Sequence, residues 1–299
     1  MRVSYKTPAK LNLILRVLGK RPDGFHEIES VFYPEFEVAD ELHAERGAEG
    51  IRFQCEGAIS GVPVGEDNLA VRAAKLFFEA ASIRPGVRLR LIKRIPTGAG
   101  LGGGSSDAAA TLLALNELYG KPLVEEALQQ IAATVGSDAP FFLRPEPALV
   151  QGRGEKVRPL GPLPVLEERW AAIVFPGFGV STKWAYGALT RFPPPAPRKP
   201  GAAEALAKAL QQGKDATCWE LFENDFEAPV YEKYPVLLLY KNFFRDRGAK
   251  AALMSGSGSA AFAIFDSREE AEAACSAFSA KFGEACWTAI SSLRTGAPR

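Results

Sequence analysis

The run Pro96, Thr97, Gly98, Ala99, Gly100, Leu101, Gly102, Gly103, Gly104, Ser105, Ser106 carries the strongest chemical signal in this chain of 299 residues. Its glycines leave the backbone nearly bare, so it can turn sharply and bring successive N–H groups against phosphate oxygens. It opens directly into a helical stretch, whose first N–H groups lack intrahelical acceptors and carry partial positive charge. Ser105 and Ser106 add hydroxyls able to bond phosphate or to help hold magnesium. A Gly/Ser linker has a similar composition but does not join a strand to a helix in this order. The run lacks the G-K-[ST] of a P-loop, and its spacing does not suit a dinucleotide fold. A kinase-type or nucleotide-hydrolysing site remains.

Phosphoryl transfer also needs a cation beside the moving group and often a carboxylate to take the acceptor's proton. Lys10 is the candidate cation. It lies in P-A-K-L-N-L, at the entrance to an apolar strand where a solvated lysine has no reason to sit. Asn12 shares its face by the period of two and either bonds a substrate or fixes the lysine. Asp138 is the candidate carboxylate, after a helix stop and before an apolar run; a turn-forming or capping aspartate is the alternative. Sequence spacing does not say whether Lys10 and Asp138 meet.

The elements that must position these residues follow from periodicity. Strands are expected at 11–15, 31–38, 51–55 and 87–91, and Asn68 or Asp67 caps a helix that begins at Leu69. Helices are expected at 108–119 and 123–135, a turn at 137–140 and a buried strand at 141–143. Beyond a strand at 170–175, the proline-rich residues 192–201 read as an exposed loop. Helices at 202–212, 229–247 and 268–282 alternate with strands at 250–254, 260–265 and 285–291. This interleaving predicts a two-domain α+β protein, 1–160 and 161–299.

Composition narrows the partners. Lys plus Arg total 36 against 35 for Asp plus Glu, a net charge of +1 with no long single-sign block. A nucleic-acid binder usually shows a basic excess. Four scattered cysteines and two histidines argue against a zinc site. The N-terminus has no signal-peptide core and no run of about 18 apolar residues occurs, so a cytoplasmic protein with no membrane span is expected.

Three separated segments, PAKLNL, PTGAGLGGGSS and SGSGSAAF, resemble the three motifs of the galactokinase, homoserine, mevalonate and phosphomevalonate kinase superfamily. The N-terminal run PAKLNLILRVLGKRPDGFHEIESVF, with GSDAPFF and NDFE, resembles more closely the branch that phosphorylates a cytidine-diphosphate-linked methylerythritol. The likeness runs from Pro8 to about Phe265 and fades in the proline-rich insert and the last helix and strand. It implies a ribosomal-protein-like N-terminal α/β domain with ATP at the 96–106 loop, a C-terminal α/β sandwich, and an active site between them. It implies transfer from ATP to the substrate's 2-hydroxyl in the non-mevalonate route to isoprenoids, with Mg2+ bound mainly through ATP phosphates. Lys10 and Asp138 match active-site residues, with Asp138 taking or orienting the hydroxyl and Lys10 keeping it ionised.

By the same likeness His26 reads the cytosine edge, and Phe25, Phe32 and Tyr186 surround the base. Phe25 stands where tyrosine is frequent, so a phenolic hydroxyl is lost. Thr182 belongs to a substrate-side segment, while Gly256 and Ser257 approach the substrate diphosphate. A monomer or homodimer is expected. Two rivals stay open at this point: a mevalonate or homoserine kinase, which the DGFHEIESVF segment disfavours, and a catalytically inactive nucleotide-binding protein of the same fold.

Overall fold

The computed structural model describes residues 1–57, 62–192, 198–213 and 215–294. It divides into two compact units: Met1–Ala9 with Val38–Thr97 and Gly102–Pro145, and Lys10–Glu37 with Gly98–Leu101 and Glu146–Arg299. Two long strands, β1 (Arg2–Lys20) and β2 (His26–Arg46), pair with each other and contribute residues to both units.

In the first unit, the end of β2 pairs antiparallel with β4 (Gly86–Lys93), placing His43 opposite Arg90. β4 also pairs parallel with β3 (Gly50–Gly57), placing Phe53 opposite Leu89. Parallel neighbours need a crossover, and α1 (Leu69–Ala81) supplies it. Asn68 caps α1, its Oδ1 accepting the Ala70 N–H at 2.9 Å. Val87, Leu89 and Leu91 of β4 are buried while Arg88 and Arg90 face outward. The inward set packs with Leu42 and Ala44 against Phe77 of α1 and Leu112 and Leu115 of α2 (Gly103–Leu118).

α3 (Glu125–Val135) and α4 (Ala139–Phe142) complete this unit. The strand expected at 141–143 is therefore a helical turn. Pro140 sits at its start, where a missing N–H costs nothing and a fixed φ favours the helix. The apolar triplet Phe141, Phe142, Leu143 is too short for its period to separate strand from buried helix.

In the second unit, the start of β2 pairs with β5 (Ala148–Gly152), with Val31 opposite Leu149, and β5 pairs with β6 (Lys156–Pro159). A separate antiparallel sheet joins β7 (Trp170–Phe175), β8 (Ala251–Met254), β9 (Ala261–Phe265) and β10 (Trp287–Ser292) in the order β10-β7-β9-β8. Its helices are α5 (Thr182–Ala188), α6 (Ala202–Gln211), α7 (Asp215–Cys218), α8 (Glu227–Lys233), α9 (Pro235–Arg245) and α10 (Arg268–Phe282). Phe243, Phe244, Phe265 and Phe278 form its aromatic core, the rings of Phe244 and Phe278 stacking at 5.4 Å.

The single helix expected at 229–247 is broken into α8 and α9. Pro235 lacks the N–H needed to continue the ladder and pushes Tyr234 out of the helical region, to φ −129° and ψ 72°. α6 begins where the proline-rich stretch ends. There the N–H groups of Gly201 and Ala202 donate to the buried Glu29 carboxylate at 2.7 and 3.1 Å. Arg16 Nη1 donates to the same carboxylate at 3.4 Å. Residues 193–197 of the expected loop and the tail 295–299 lie outside the described residues.

Glu35 of β2 is 1% exposed; the Ser291 hydroxyl donates to its Oε2, and its Oε1 has no partner among the described residues. Burial pushes its carboxyl up to about 8, with Ser291 opposing the rise and Glu37 adding to it. The folded state thus keeps a proton that the unfolded chain, near an ordinary 4.5, releases. This contribution to stability is complete below about pH 4.5 and is lost as pH rises through about 8. Thermal melts should therefore show the parent losing several degrees of Tm relative to Glu35→Gln between about pH 5 and pH 8. Parallel pH profiles for the two proteins would mean that Glu35 is ionised throughout.

Candidate active site

Lys10 is 2% exposed, within a stretch of β1 buried at every residue from 7 to 15. Its Nζ donates to Asn12 Oδ1 at 2.5 Å and to the Gly100 carbonyl at 2.6 Å, and lies 5.2 Å from the centre of the Phe32 ring. Asn12 Nδ2 donates to Ser30 Oγ at 3.0 Å, and the Ser30 hydroxyl donates to the Ile14 carbonyl. Since Ser30 spends its proton on Ile14, it can only accept from Asn12, which turns the amide oxygen toward Lys10. Both polar atoms of Asn12 are thus engaged in holding the lysine. Phe32, 1% exposed, forms an aromatic surface beneath the ammonium.

The glycine loop and the late loop close on this lysine within the second unit. The Gly100 carbonyl also accepts from Ser255 Oγ at 3.0 Å. A Cβ on Gly100, at φ +80°, would lie 2.1 Å from the Ser255 carbonyl oxygen, so no side chain fits there. The Lys10 N–H donates to the Leu101 carbonyl and the Ala260 N–H to the Ala99 carbonyl, both at 2.9 Å. A Cβ on Gly256 would meet the Gly100 carbonyl at 3.0 Å and Lys10 Nζ at 3.2 Å. Gly98, in the same segment, is exposed.

The N-D-F-E segment explains why the late loop holds its shape. Buried Asn224 donates to the carbonyls of Met254 and Gly256 at 2.7 and 2.8 Å. On either side, Leu15 N–H donates to the Glu223 carbonyl and Asp225 N–H to the Leu15 carbonyl, at 2.8 and 2.9 Å. Ser30, Ser255 and Asn224 were not among the residues singled out for chemistry. N-D-F-E was visible as a motif, but a buried asparagine bracing a loop leaves no period or charge pattern to mark its task.

The aromatic set also gathers in the second unit. The rings of His26 and Tyr186 stack at 4.7 Å and 21°, and Tyr186 meets Phe226 edge-on at 4.8 Å. Burial, with the Lys20 charge, holds His26 below its ordinary pKa, so near neutral pH the ring offers one donor and one acceptor. Phe25 is 47% exposed, with the Arg153 guanidinium 4.8 Å from its ring centre. An Asp23 turn holds it there, Oδ1 accepting the Phe25 N–H at 3.0 Å. Ser181 caps α5, and the hydroxyls of Thr182 and Ser257 lie 2.9 Å apart.

In the first unit, Pro96 is buried and Thr97 exposed, and the glycine run enters α2 through Gly102 at φ +76° with no side-chain cap. Gly104 is exposed and Ser105 half-buried, whereas Gly103 is buried. A Cβ on Gly103 would lie 2.9 Å from Lys93 Nζ and 3.0 Å from Ile95, so close packing on that side leaves no room for a side chain. Ser106 Oγ is buried and has no partner among the described residues. Asp138 is half-buried before α4 and makes no side-chain cap hydrogen bond, which leaves the capping alternative without support. Its turn lies against the loop, since a Cβ on Gly136 would be 3.5 Å from Ser105 Oγ. Lys10 and Asp138 belong to different units.

Comparison with known proteins agrees with these motifs. The chain matches the GHMP kinases N terminal domain over residues 68–145 and the GHMP kinases C terminal model over residues 198–284. It is 39% identical over 266 residues to a 4-diphosphocytidyl-2-C-methyl-D-erythritol kinase of Citrifermentans bemidjiense, covering 88% of this chain and 90% of that one. The protein of that name from Thermus thermophilus is 42% identical over 275 residues, 91% of each chain. A crystal structure of 4-(cytidine 5'-diphospho)-2C-methyl-D-erythritol kinase is similar with a TM-score of 0.76 at 39% identity, covering 96% of this chain and 98% of that one. A homoserine kinase from Cytophaga hutchinsonii reaches the same TM-score, 0.76, at 21% identity over 100% of this chain and 96% of its own, a likeness of fold. With both GHMP domains present and about two-fifths identity sustained over nearly the whole chain, the protein belongs to the GHMP kinases and, among them, to the 4-diphosphocytidyl-2-C-methyl-D-erythritol kinase family.

Proposed function

We propose that this ATP-dependent small-molecule kinase transfers the γ-phosphoryl group of ATP to the 2-hydroxyl of 4-diphosphocytidyl-2-C-methyl-D-erythritol, in the non-mevalonate route to isoprenoid precursors. The observation that carries the reading is the buried Lys10 ammonium, fixed where segment 98–101 and the late glycine loop converge. A buried cation so held is ready to meet anionic charge without reorganising. Relatives at about 40% identity supply the acceptor's identity.

ATP is assigned to residues 96–106, the uncapped start of α2 presenting N–H groups and the Ser105 and Ser106 hydroxyls. The orphaned Ser106 Oγ fits a site completed by a ligand. No cluster of His, Cys, Asp and Glu suited to a metal occurs among the described residues, so magnesium is assigned mainly to ATP phosphates and water. The Ser105 and Ser106 hydroxyls would help hold such an ion, which would offset the negative charge of the phosphates. Asp138 takes the proton of the 2-hydroxyl or orients it, and Lys10 stabilises charge on the transferred group.

His26 and Tyr186 form the cytosine site, with Phe25 at its rim and Phe32 acting through Lys10. Asn12 acts on the lysine, and Thr182, Gly256 and Ser257 line the diphosphate end. The ATP half is assigned to residues 1–160 and the second half to 161–299. No helix among the described residues is long and apolar enough to cross a membrane. We assign the protein to the cytoplasm, as a monomer or homodimer with no nucleic-acid partner.

ADP production should be strong with the cytidylated methylerythritol and near background with mevalonate, homoserine or methylerythritol phosphate; preference for one of the latter would overturn the reading. Asp138→Asn should lower turnover by about 10²–10⁴-fold while leaving ATP affinity within a few-fold. Turnover within twofold of the parent would remove Asp138 from proton transfer. His26→Ala should raise KM for the cytidine substrate at least tenfold more than KM for ATP and narrow the preference over the uridine analogue. A folded variant that keeps both would make His26 a packing residue.

A further inference from the structure

Lys93, at the end of β4, is 3% exposed and lies between two carboxylates of the first unit. Its Nζ donates to Asp40 Oδ2 at 2.5 Å and to Asp107 Oδ2 at 2.8 Å. Asp40 is fully buried, and its other oxygen accepts the N–H groups of Arg94 and Ile95 at 2.5 and 2.8 Å. Asp107, 3% exposed one turn into α2, accepts from the Thr7 hydroxyl at 2.8 Å through its second oxygen. Burial alone would lower the Lys93 pKa, but the charges and hydrogen bonds of Asp107 and Asp40 outweigh it and hold the ammonium above its ordinary value.

The placement of this trio is what gives it a function. Asp40 grips the two residues just before Pro96, and Asp107 is the residue just after Ser106. Lys93 therefore ties together the two ends of the phosphate loop. Its ammonium also meets the position a Cβ on Gly103 would occupy, at 2.9 Å, so it supports the first turn of α2 directly. Buried ions are costly to desolvate and are better suited to fixing geometry than to adding stability. A backbone cradle recognises phosphate only if its N–H groups already point correctly.

We propose that Lys93, bridged to Asp40 and Asp107, is a positioning residue for nucleotide binding: it sets the direction of the first N–H groups of α2 without touching the acceptor. This rests on the assignment of ATP to the 96–106 loop. Removing the lysine alone would strand two buried carboxylates, so the informative variant is the charge-balanced pair Lys93→Met with Asp107→Asn. Calorimetry with ATP and no acceptor tests the trio even if the acceptor is misidentified; steady-state assays then separate KM for ATP from KM for the cytidylated substrate.

The folded double variant should bind ATP at least tenfold more weakly and show a matching rise in KM for ATP. KM for the acceptor should stay within twofold. ATP affinity within twofold of the parent, or an equal rise in both Michaelis constants, would overturn the proposal. If the double variant does not fold, Thr7→Val takes its place, deleting one hydrogen bond to Asp107 at nearly constant volume. It should weaken ATP binding about threefold with the acceptor KM unchanged, and unaltered ATP binding would equally overturn the proposal. If the parent binds ATP but makes no ADP with the cytidylated substrate, the acceptor assignment fails and the positioning role is still decided.

Discussion

A single buried ammonium organises the second unit. Taking Lys10 out of water costs on the order of several kcal/mol unless its protons are met, and the fold meets them with an oriented amide and a carbonyl of the glycine loop. Each requirement propagates. The amide is oriented by Ser30, and the carbonyl is brought close by a glycine at which no Cβ can exist. The late loop that leaves room for it is braced by Asn224. The buried charge and the constraints on the chain around it are therefore the same interaction read from two sides.

The first unit solves a related problem with different chemistry. There the loop's flanks are tied by ions rather than by backbone carbonyls. Buried charge pairs contribute little net stability, but they tolerate few geometries. A loop built mainly of glycine needs such fixed neighbours, because it supplies few side chains of its own to hold it.

Glycine loops and apolar periods are legible in sequence because their physics is local. The 96–106 run, the Asn68 cap and the alternation of Val87, Leu89 and Leu91 all belong to this class. The helical turn at 139–142 and the break at Pro235 were less legible, since short apolar runs carry no period and a proline inside a helical pattern can kink or end it. Least legible was the trio of Asp40, Lys93 and Asp107. Each reads singly as a solvated charge, or, for Asp107, as an ordinary helix-start acid. Only tertiary pairing across 53 and 14 residues reveals otherwise. Asn12 shows the intermediate case: the period of two put it on the lysine's face, but its task depended on Ser30.

The junction between Glu29 and the start of α6 has an evolutionary consequence. Because that helix is anchored to β2 by a buried carboxylate at Gly201 and Ala202, its origin does not depend on the length of chain leading to it. Loop-closure entropy changes only slowly with length. The proline-rich segment is thus a place where residues can be gained or lost between related sequences while everything after residue 201 keeps its register, making it a natural site for lineage-specific insertions or for an engineered tag.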